Sequence, residues 1–355
     1  MTNNPLCVAL DILDPAIGKG EDSQRLTAAK CRGLLVGYDK RWKNAPYRID
    51  DVECVLQSDL YNSETGKKSR TFRSAGKLDV RATEINTGRK VIFDHKTTSQ
   101  DISDPGAPYW LQLVIEGQVS HYMLLEWLNG NKVDCGVWDV IRKPGISPKA
   151  IAKKDMVEIF RNAEYFDEDI SDEDLSEIQE TGRETLRMYS ARLAFDCSME
   201  RPEWYFQRKE VPRLDEEIKE YAIDQWDEAQ NIISARKNQR YPRSSGSCMA
   251  YGSACEYLGI CTGHDNFDSG NWEERAWVHP ELPIIDGSKG TEILTNSRIR
   301  CFQSCRRKHY YKYEMGMVKI DAEEKAALFF GNLFHQALEA YFLTLKQNQQ
   351  KGITS

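Results

Sequence analysis

The stretch that most constrains this chain is residues 76–98. Val91, Ile92 and Phe93 form a short apolar run with strand character, and it leads directly into Asp94-His95-Lys96-Thr97-Thr98. Side chains two apart on a strand share a face, so Asp94 and Lys96 point one way and His95 the other. Upstream, Gly76-Lys77-Leu78-Asp79 opens a second strand over 76–82. A turn through Asn86-Thr87-Gly88 folds the two strands into a hairpin that brings Asp79 close to Asp94.

Two carboxylates and one ammonium at a strand end form a specific chemical set. Hard oxygen ligands hold Mg²⁺ or Mn²⁺ with positions left for water and a phosphate oxygen. Such an ion lowers the pKa of its water and stabilises charge growing on the phosphate. Lys96 would orient that water or neutralise the phosphate. The plainer reading is a solvated hairpin with an ordinary Asp–Lys pair, and the rest of the chain decides between them.

At 355 residues there is room for one large domain or two ordinary ones, and the 40% apolar and 29% charged fractions suit a soluble globular protein. No run of apolar residues is long enough to span a membrane. The opening Met-Thr-Asn-Asn-Pro lacks a basic region and an apolar core, so a cytoplasmic protein without a secretory signal is expected. In that setting the ten Cys point to free thiols or metal ligands rather than disulfides. The net charge of −7 does not exclude nucleic acid, because the charge is unevenly placed. Acids crowd 161–184, most simply on a solvated helix or loop. Arg298, Arg300, Arg306, Arg307, Lys308 and Lys312 are interleaved with Tyr310, Tyr311 and Tyr313. That pattern suits phosphates and bases, or else a core helix with a basic outer face.

Periodicity predicts helices over most of 8–42, a strand over 50–60 that includes Glu53, a polar turn over 61–71 and a loop over 99–108. One helix is expected over 109–128, with Gln118 and Tyr122 four apart on a shared face. A strand over 133–141, a charged helical insertion over 148–195, a strand over 204–211 and an amphipathic helix over 215–237 follow. This order describes a small mixed sheet with flanking helices, an α/β architecture.

Cys248, Cys255 and Cys261 then fall within a polar Gly- and Ser-rich stretch, which points to a metal or iron–sulfur site. Thiolates favour zinc or iron over magnesium. Cys7, Cys31, Cys54, Cys135, Cys197, Cys301, Cys305 and His264 all remain open as a fourth ligand. Residues 280–290 read as a linker. Beyond it, Thr295, Asn296 or Ser297 can cap a helix, and Gly331, His335 and Glu339 recur at helical spacing.

Taken together, these motifs resemble the PD-(D/E)XK nuclease superfamily, in its RecB-like branch from phage and bacterial recombination systems. Gly-Lys-Leu-Asp79 with Asp94-His-Lys96 resembles the family's catalytic carboxylates and lysine. Gln118-Val-Ser-His-Tyr122 resembles its Gln-x-x-x-Tyr motif, and Gly331-Asn-Leu-Phe-His335 its Gly-x-x-x-His element. Residues 297–313 resemble the opening helix, whose Cys in iron–sulfur members joins three later Cys around a 4Fe–4S cluster. The resemblance therefore implies Cys305 as fourth ligand to Cys248, Cys255 and Cys261, with zinc as the alternative. It implies a restriction-endonuclease-like mixed sheet flanked by helices, with a helical insertion and a Cys-ligated cluster. Asp79, Asp94, His335 and the carbonyl of His95 would ligate Mg²⁺ or Mn²⁺. Lys96 would position water, and Gln118 and Tyr122 would contact the scissile phosphate or its strand; Glu53 is a weaker candidate.

The order of the motifs departs from the family. The opening helix and the His element stand last here, which implies a circular permutation. Residues 1–276 would form the main part of the nuclease domain, 277–292 a linker, and 293–355 the family's N-terminal helices. The rivals are a truncated second copy completed by another chain in an oligomer, and a reading frame cut from a circular source. The implied activity is a metal-dependent DNA exonuclease in recombination, repair or phage replication, with DNA and recombination or replication proteins as partners. The alternative is a non-catalytic nucleic-acid-binding recombination factor on the same fold.

Overall fold

Two long paired strands form the spine of the molecule. The computed structural model describes residues 4–250, 253–284, 291–320 and 326–352. Helices α1 (Pro5–Gly18) and α2 (Asp22–Trp42) come first, followed by strands β1 (Tyr47–Tyr61), β2 (Lys68–Glu84) and β3 (Lys90–Thr98). Helices α3 (Pro108–Val114) and α4 (Gly117–Leu128) precede β4 (Cys135–Arg142) and β5 (Phe206–Pro212). Helix α5 (Asp215–Asn238), strand β6 (Glu292–Leu294), helix α6 (Asn296–Ser304) and helix α7 (Ala326–Gln350) complete the frame.

The six strands form one mixed sheet in the order β1-β2-β3-β4-β5, with β6 paired to the start of β2. The β3–β4 and β2–β6 pairs are parallel and the others antiparallel. Period-2 alternation along β3 and β4 explains why both sheet faces are covered. Val91, Phe93 and Val137 face a core built with α1, α2 and α7. Ile92, Trp138 and Val140 face a second core built with α3 and α4. A third cluster joins Leu60 and Phe72 to α5, Leu294 and α6. This is a mixed α/β fold with a central mixed sheet flanked by helices, of the restriction-endonuclease-like kind.

Several local expectations change. Strand β2 begins at Lys68, so the turn spans only 62–67, where Asn62 Oδ1 accepts the Glu64 and Thr65 amides at 3.0 and 2.7 Å. The helix expected over 109–128 is broken at Ile115-Glu116. Arg213 captures the freed carbonyls there, donating to Val114 O at 2.6 Å and to Glu116 O at 3.4 Å. The break re-aims α4, and Gly117 opens it because a Cβ there would stand 3.1 Å from the Tyr221 ring.

The charged insertion is helical over Lys153–Asn162, Asp172–Thr181 and Leu186–Phe195, with its own small core of Ile151, Ile159, Ile170, Ile178 and Met188. Asp172, Glu173 and Asp174 stand in the first turn of one of these helices behind the Ser171 cap, where acids favour the helix dipole.

The basic segment at 298–312 is tied down. Thr295 caps α6, its hydroxyl accepting the Arg298 amide at 3.1 Å. The Arg298 guanidinium is 1% exposed and meets Glu292 at 2.9 Å, Glu314 at 3.0 Å and the Ile293 carbonyl at 2.8 Å. Arg300 pairs with Glu116 and Lys308 with Glu256. Arg298 is thus a buried brace, not a phosphate contact. Helix α7 is bound just as firmly to the opposite end of the chain. Gln349 bonds the Ile49 amide and the Tyr47 carbonyl, Lys346 meets Asp51 at 3.0 Å, and Tyr341 donates to Asp39 at 2.9 Å. The described residues of 291–320 and 326–352 are therefore part of the same sheet and core as the N-terminal helices. Of the linker read over 280–290, residues 285–290 lie outside the described residues.

Breaking a buried charge pair by removing one partner costs about 3 kcal/mol or more. Arg298→Ala is expected to lower unfolding stability by roughly that amount in urea titration; a loss under about 1 kcal/mol would show that the brace is not needed.

Candidate active site

Asp79 and Asp94 face each other one step past the last β2–β3 register pair, Val80↔Phe93. There the Asp79 side chain replaces the ladder: its Oδ2 accepts the His95 amide at 2.7 Å. Asp94 is 4% exposed. Its Oδ1 accepts the Gln118 amide nitrogen at 2.8 Å, and its Oδ2 stands 2.5 Å from Lys96 Nζ. Lys96 also donates to Gln118 Oε1 at 2.9 Å, so one amide holds both charges of the pair. The same Gln118 nitrogen reaches the Tyr122 hydroxyl at 3.0 Å. Tyr122 in turn lies so close over β2 that a Cβ at position 76 would fall 2.9 Å from its ring, which is why Gly76 is needed there.

His335 arrives from α7 at the far end of the chain. Its Nδ1 is 4.0 Å from Asp79 Oδ2, and the ring also bonds the backbone of His95. The His95 ring points away from Asp94 and Lys96, as alternation requires. It stacks on Phe342 with centroids 5.2 Å apart. His95 Nδ1 is 3.4 Å from Asp139 Oδ2, which also takes Arg208 at 3.0 Å and the Tyr38 hydroxyl at 2.5 Å. Sequence reasoning did not single out this buried support. Its signal was an acid inside the apolar run Val137-Trp138-Asp139-Val140-Ile141, where a charge survives only with partners. Glu53 lies nearby in a left-handed backbone conformation (φ 52°), paired with Lys77.

Burial pushes the Asp94 carboxyl up to about 6, with Lys96 restraining the rise and Asp79 adding to it. Burial lowers the His335 pKa, and Asp79 opposes that shift. Burial also disfavours charge on His95, but Asp139 outweighs it and the net shift is upward. Tyr122 is held far above its ordinary value by burial and then by Asp94, so it serves as a neutral hydroxyl.

The two carboxylates on β2 and β3 are hard donors of the kind that suit magnesium or manganese, and the His335 imidazole on α7 adds a borderline nitrogen donor. Asp94 Oδ2, held only by the Lys96 ammonium, is the carboxylate oxygen that such an ion would take over. Among the described residues no group of three or more His, Cys, Asp or Glu side chains is drawn together closely enough to hold a metal ion, here or elsewhere.

Cys248, Cys255, Cys261 and Cys305 line one small cavity of about 20 Å³, beside Arg243 and Lys308. The loop that carries the first three is anchored to α6 by the Ser247 hydroxyl, which donates to Ser304 O at 2.8 Å. Of the fourth-ligand candidates only Cys305 lines this cavity; Cys31, Cys135 and Cys197 are buried elsewhere, and Cys7 and His264 are exposed. None of the ten cysteines is in a disulfide.

The fold and the acidic pocket thus define a chain of the restriction-endonuclease-like α/β class. Comparison with protein families gives a match to the PD-(D/E)XK nuclease superfamily over residues 293–353. The matched span holds α6 and His335 but not Asp79, Asp94 or Lys96. No curated protein and no solved structure matches the chain.

In the metal-free protein the Asp94 carboxyl should titrate near pH 6 by carbon NMR, and Lys96→Met should move the midpoint up, because the ammonium is what restrains it. With the folded pKa above the ordinary 3.8, Asp94 contributes most to stability below pH 4, and the contribution is lost as pH rises through 6. A midpoint below 4.5 in Lys96→Met would contradict this geometry.

Proposed function

We propose that this protein is a metal-dependent nuclease of the PD-(D/E)XK superfamily that hydrolyses phosphodiester bonds in DNA. The observation that carries the reading is the convergence of Asp79, Asp94, Lys96 and Gln118 with a histidine some 240 residues later, inside the span that matches the family (335 − 94 = 241). A pure binding factor needs neither the buried carboxylate nor the lysine held against it.

Asp79, Asp94, His335 and the carbonyl of His95 would hold Mg²⁺ or Mn²⁺. When bound, the ion supplies an acidified water and charge stabilisation at the phosphate. Lys96, whose ammonium lies against Asp94, would serve to orient the attacking water or to neutralise the phosphate. Gln118 keeps Asp94 and Lys96 in register, and the neutral Tyr122 hydroxyl supports that amide.

The order of elements is read as a circular permutation, because β6 and α7 complete the sheet and core of the same chain. Close surface termini make such rearrangement tolerable. An exonuclease of the RecB-like type, acting with recombination or replication proteins, is the finer reading.

The four cysteines are read as ligands of one structural group that fastens the loop 243–261 to the end of α6. A 4Fe–4S cluster is the assignment by family pattern. The cavity, about 20 Å³ and close to the room taken by one water, favours a single zinc ion as second reading. Metal analysis of protein purified without oxygen should find iron with a brown chromophore, or one zinc. Cys305→Ser should lose most of either, and an unchanged metal content in that variant would remove Cys305 from the site.

Digestion of end-labelled linear DNA should require Mg²⁺ or Mn²⁺ and stop in EDTA. Lys96→Ala should lower the rate by at least about 100-fold, in line with removal of one preorganised charge-stabilising group. Full activity in that variant, or in EDTA, would refute the mechanism. Binding of DNA without any cleavage would favour the non-catalytic alternative, and cleavage of closed circles would replace exo by endo action.

A further inference from the structure

Helix α3 buries one side and leaves the other bare. Trp110 and Leu113 are buried, whereas Leu111 is 63%, Val114 43% and Ile115 83% exposed. Positions i, i+3 and i+4 are neighbours on a helix surface, so these three aliphatics form one patch. Single exposed aliphatics need no explanation, but a grouped set marks a place where another molecule is met.

The patch borders the candidate active site. Tyr109, in the first turn of α3, is hydrogen-bonded to the Thr98 side chain at the end of β3. Leu113 O accepts the Trp138 indole N–H at 3.2 Å, and the Lys96 ammonium lies 5.1 Å from the centre of that ring system. Ile115 is three residues from Gln118, so their Cα atoms are at most about 11 Å apart, roughly three base steps of ~3.4 Å. The patch is also held stiffly. Arg213 clamps the carbonyls of Val114 and Glu116, and Arg300 pairs with Glu116 at 2.9 Å. Lys209, 5.4 Å from the Trp110 ring, and Arg213 border the helix with no ion pair among the described residues.

The kind of side chain narrows the role. Aromatic rings serve as platforms on which the bases of a single strand stack. Aliphatic side chains instead enter between base steps and unstack them. The exposed set here is wholly aliphatic, and the aromatic Trp110 beside it is buried. We propose that Leu111, Val114 and Ile115 form an apolar wedge that enters the end of a DNA duplex and unstacks its last base pairs, while one strand passes on to Asp79 and Asp94. The inference rests on the nuclease reading and names the substrate of that site: double-stranded DNA opened at an end.

The test uses the full chain and a blunt duplex with 2-aminopurine two base pairs from its end. Ca²⁺ replaces Mg²⁺, and a gel confirms that the DNA stays uncut. Binding should raise the emission at least about threefold as the base leaves the stack. The double variant Leu111→Ser/Ile115→Ser should lose most of that rise while binding single-stranded DNA, measured by anisotropy, with unchanged affinity. Leu111→Met/Ile115→Met, which keeps the patch apolar, should restore the rise. Near-UV circular dichroism checks that both variants stay folded. A duplex bound without any rise, or an equal rise in the serine variant, would overturn the wedge and leave the nuclease reading in place. Loss of a dimer in gel filtration of the serine variant, with the rise intact, would make the patch a contact between copies and also overturn it. Failure to bind any DNA would sink both readings. A wedge-dependent rise without cleavage in Mg²⁺ would sink the nuclease reading alone.

Discussion

The structure depends on one buried ion pair. Asp94 is sealed at the end of β3, and a carboxylate in such a place must be protonated, paired or bound to metal. Lys96 pairs it from two residues along the same strand face, and the Gln118 amide locks the two together. Much of the surrounding architecture serves that arrangement. The break between α3 and α4 aims Gln118 at the pair, Gly76 lets the Tyr122 ring approach β2 closely, and Asp79 substitutes for a ladder carbonyl by taking the His95 amide.

The second constraint is closure of the chain on itself. Strand β6 and helix α7 come from the last quarter of the sequence but pack into a sheet and core begun in the first quarter. The contacts that hold them are specific. The buried Arg298 bridges Glu292 and Glu314, while Gln349 fills the backbone valences at the start of β1. Helix α7 brings His335 to Asp79 and, two turns on, stacks Phe342 on the back of His95. One helix therefore reaches the candidate site and braces the opposite face of β3.

Much of this was legible in the sequence, and the reasons are local. Alternation in Val91–Phe93 and the Asn-Thr-Gly turn predicted the hairpin and the facing of Asp94, Lys96 and His95. Helical spacing placed Gln118 and Tyr122 on one face. Thr295 was readable as a cap. The break at Ile115-Glu116 was not legible, because it depends on Arg213 reaching back from almost a hundred residues away. Arg298 looked like a phosphate contact for a similar reason: its acidic partners are assembled only by the tertiary fold. The Asp139–Arg208–Tyr38 support of His95 is likewise a product of distant elements meeting.

The central claim is that His335 shares a divalent ion with Asp79 and Asp94. Pulsed electron paramagnetic resonance of the Mn²⁺-loaded protein addresses it without reference to turnover. The account predicts a nitrogen coupling from one imidazole that disappears in His335→Ala while the bound manganese signal persists in weaker form. A manganese spectrum with no nitrogen coupling, or one unchanged by that substitution, would contradict it.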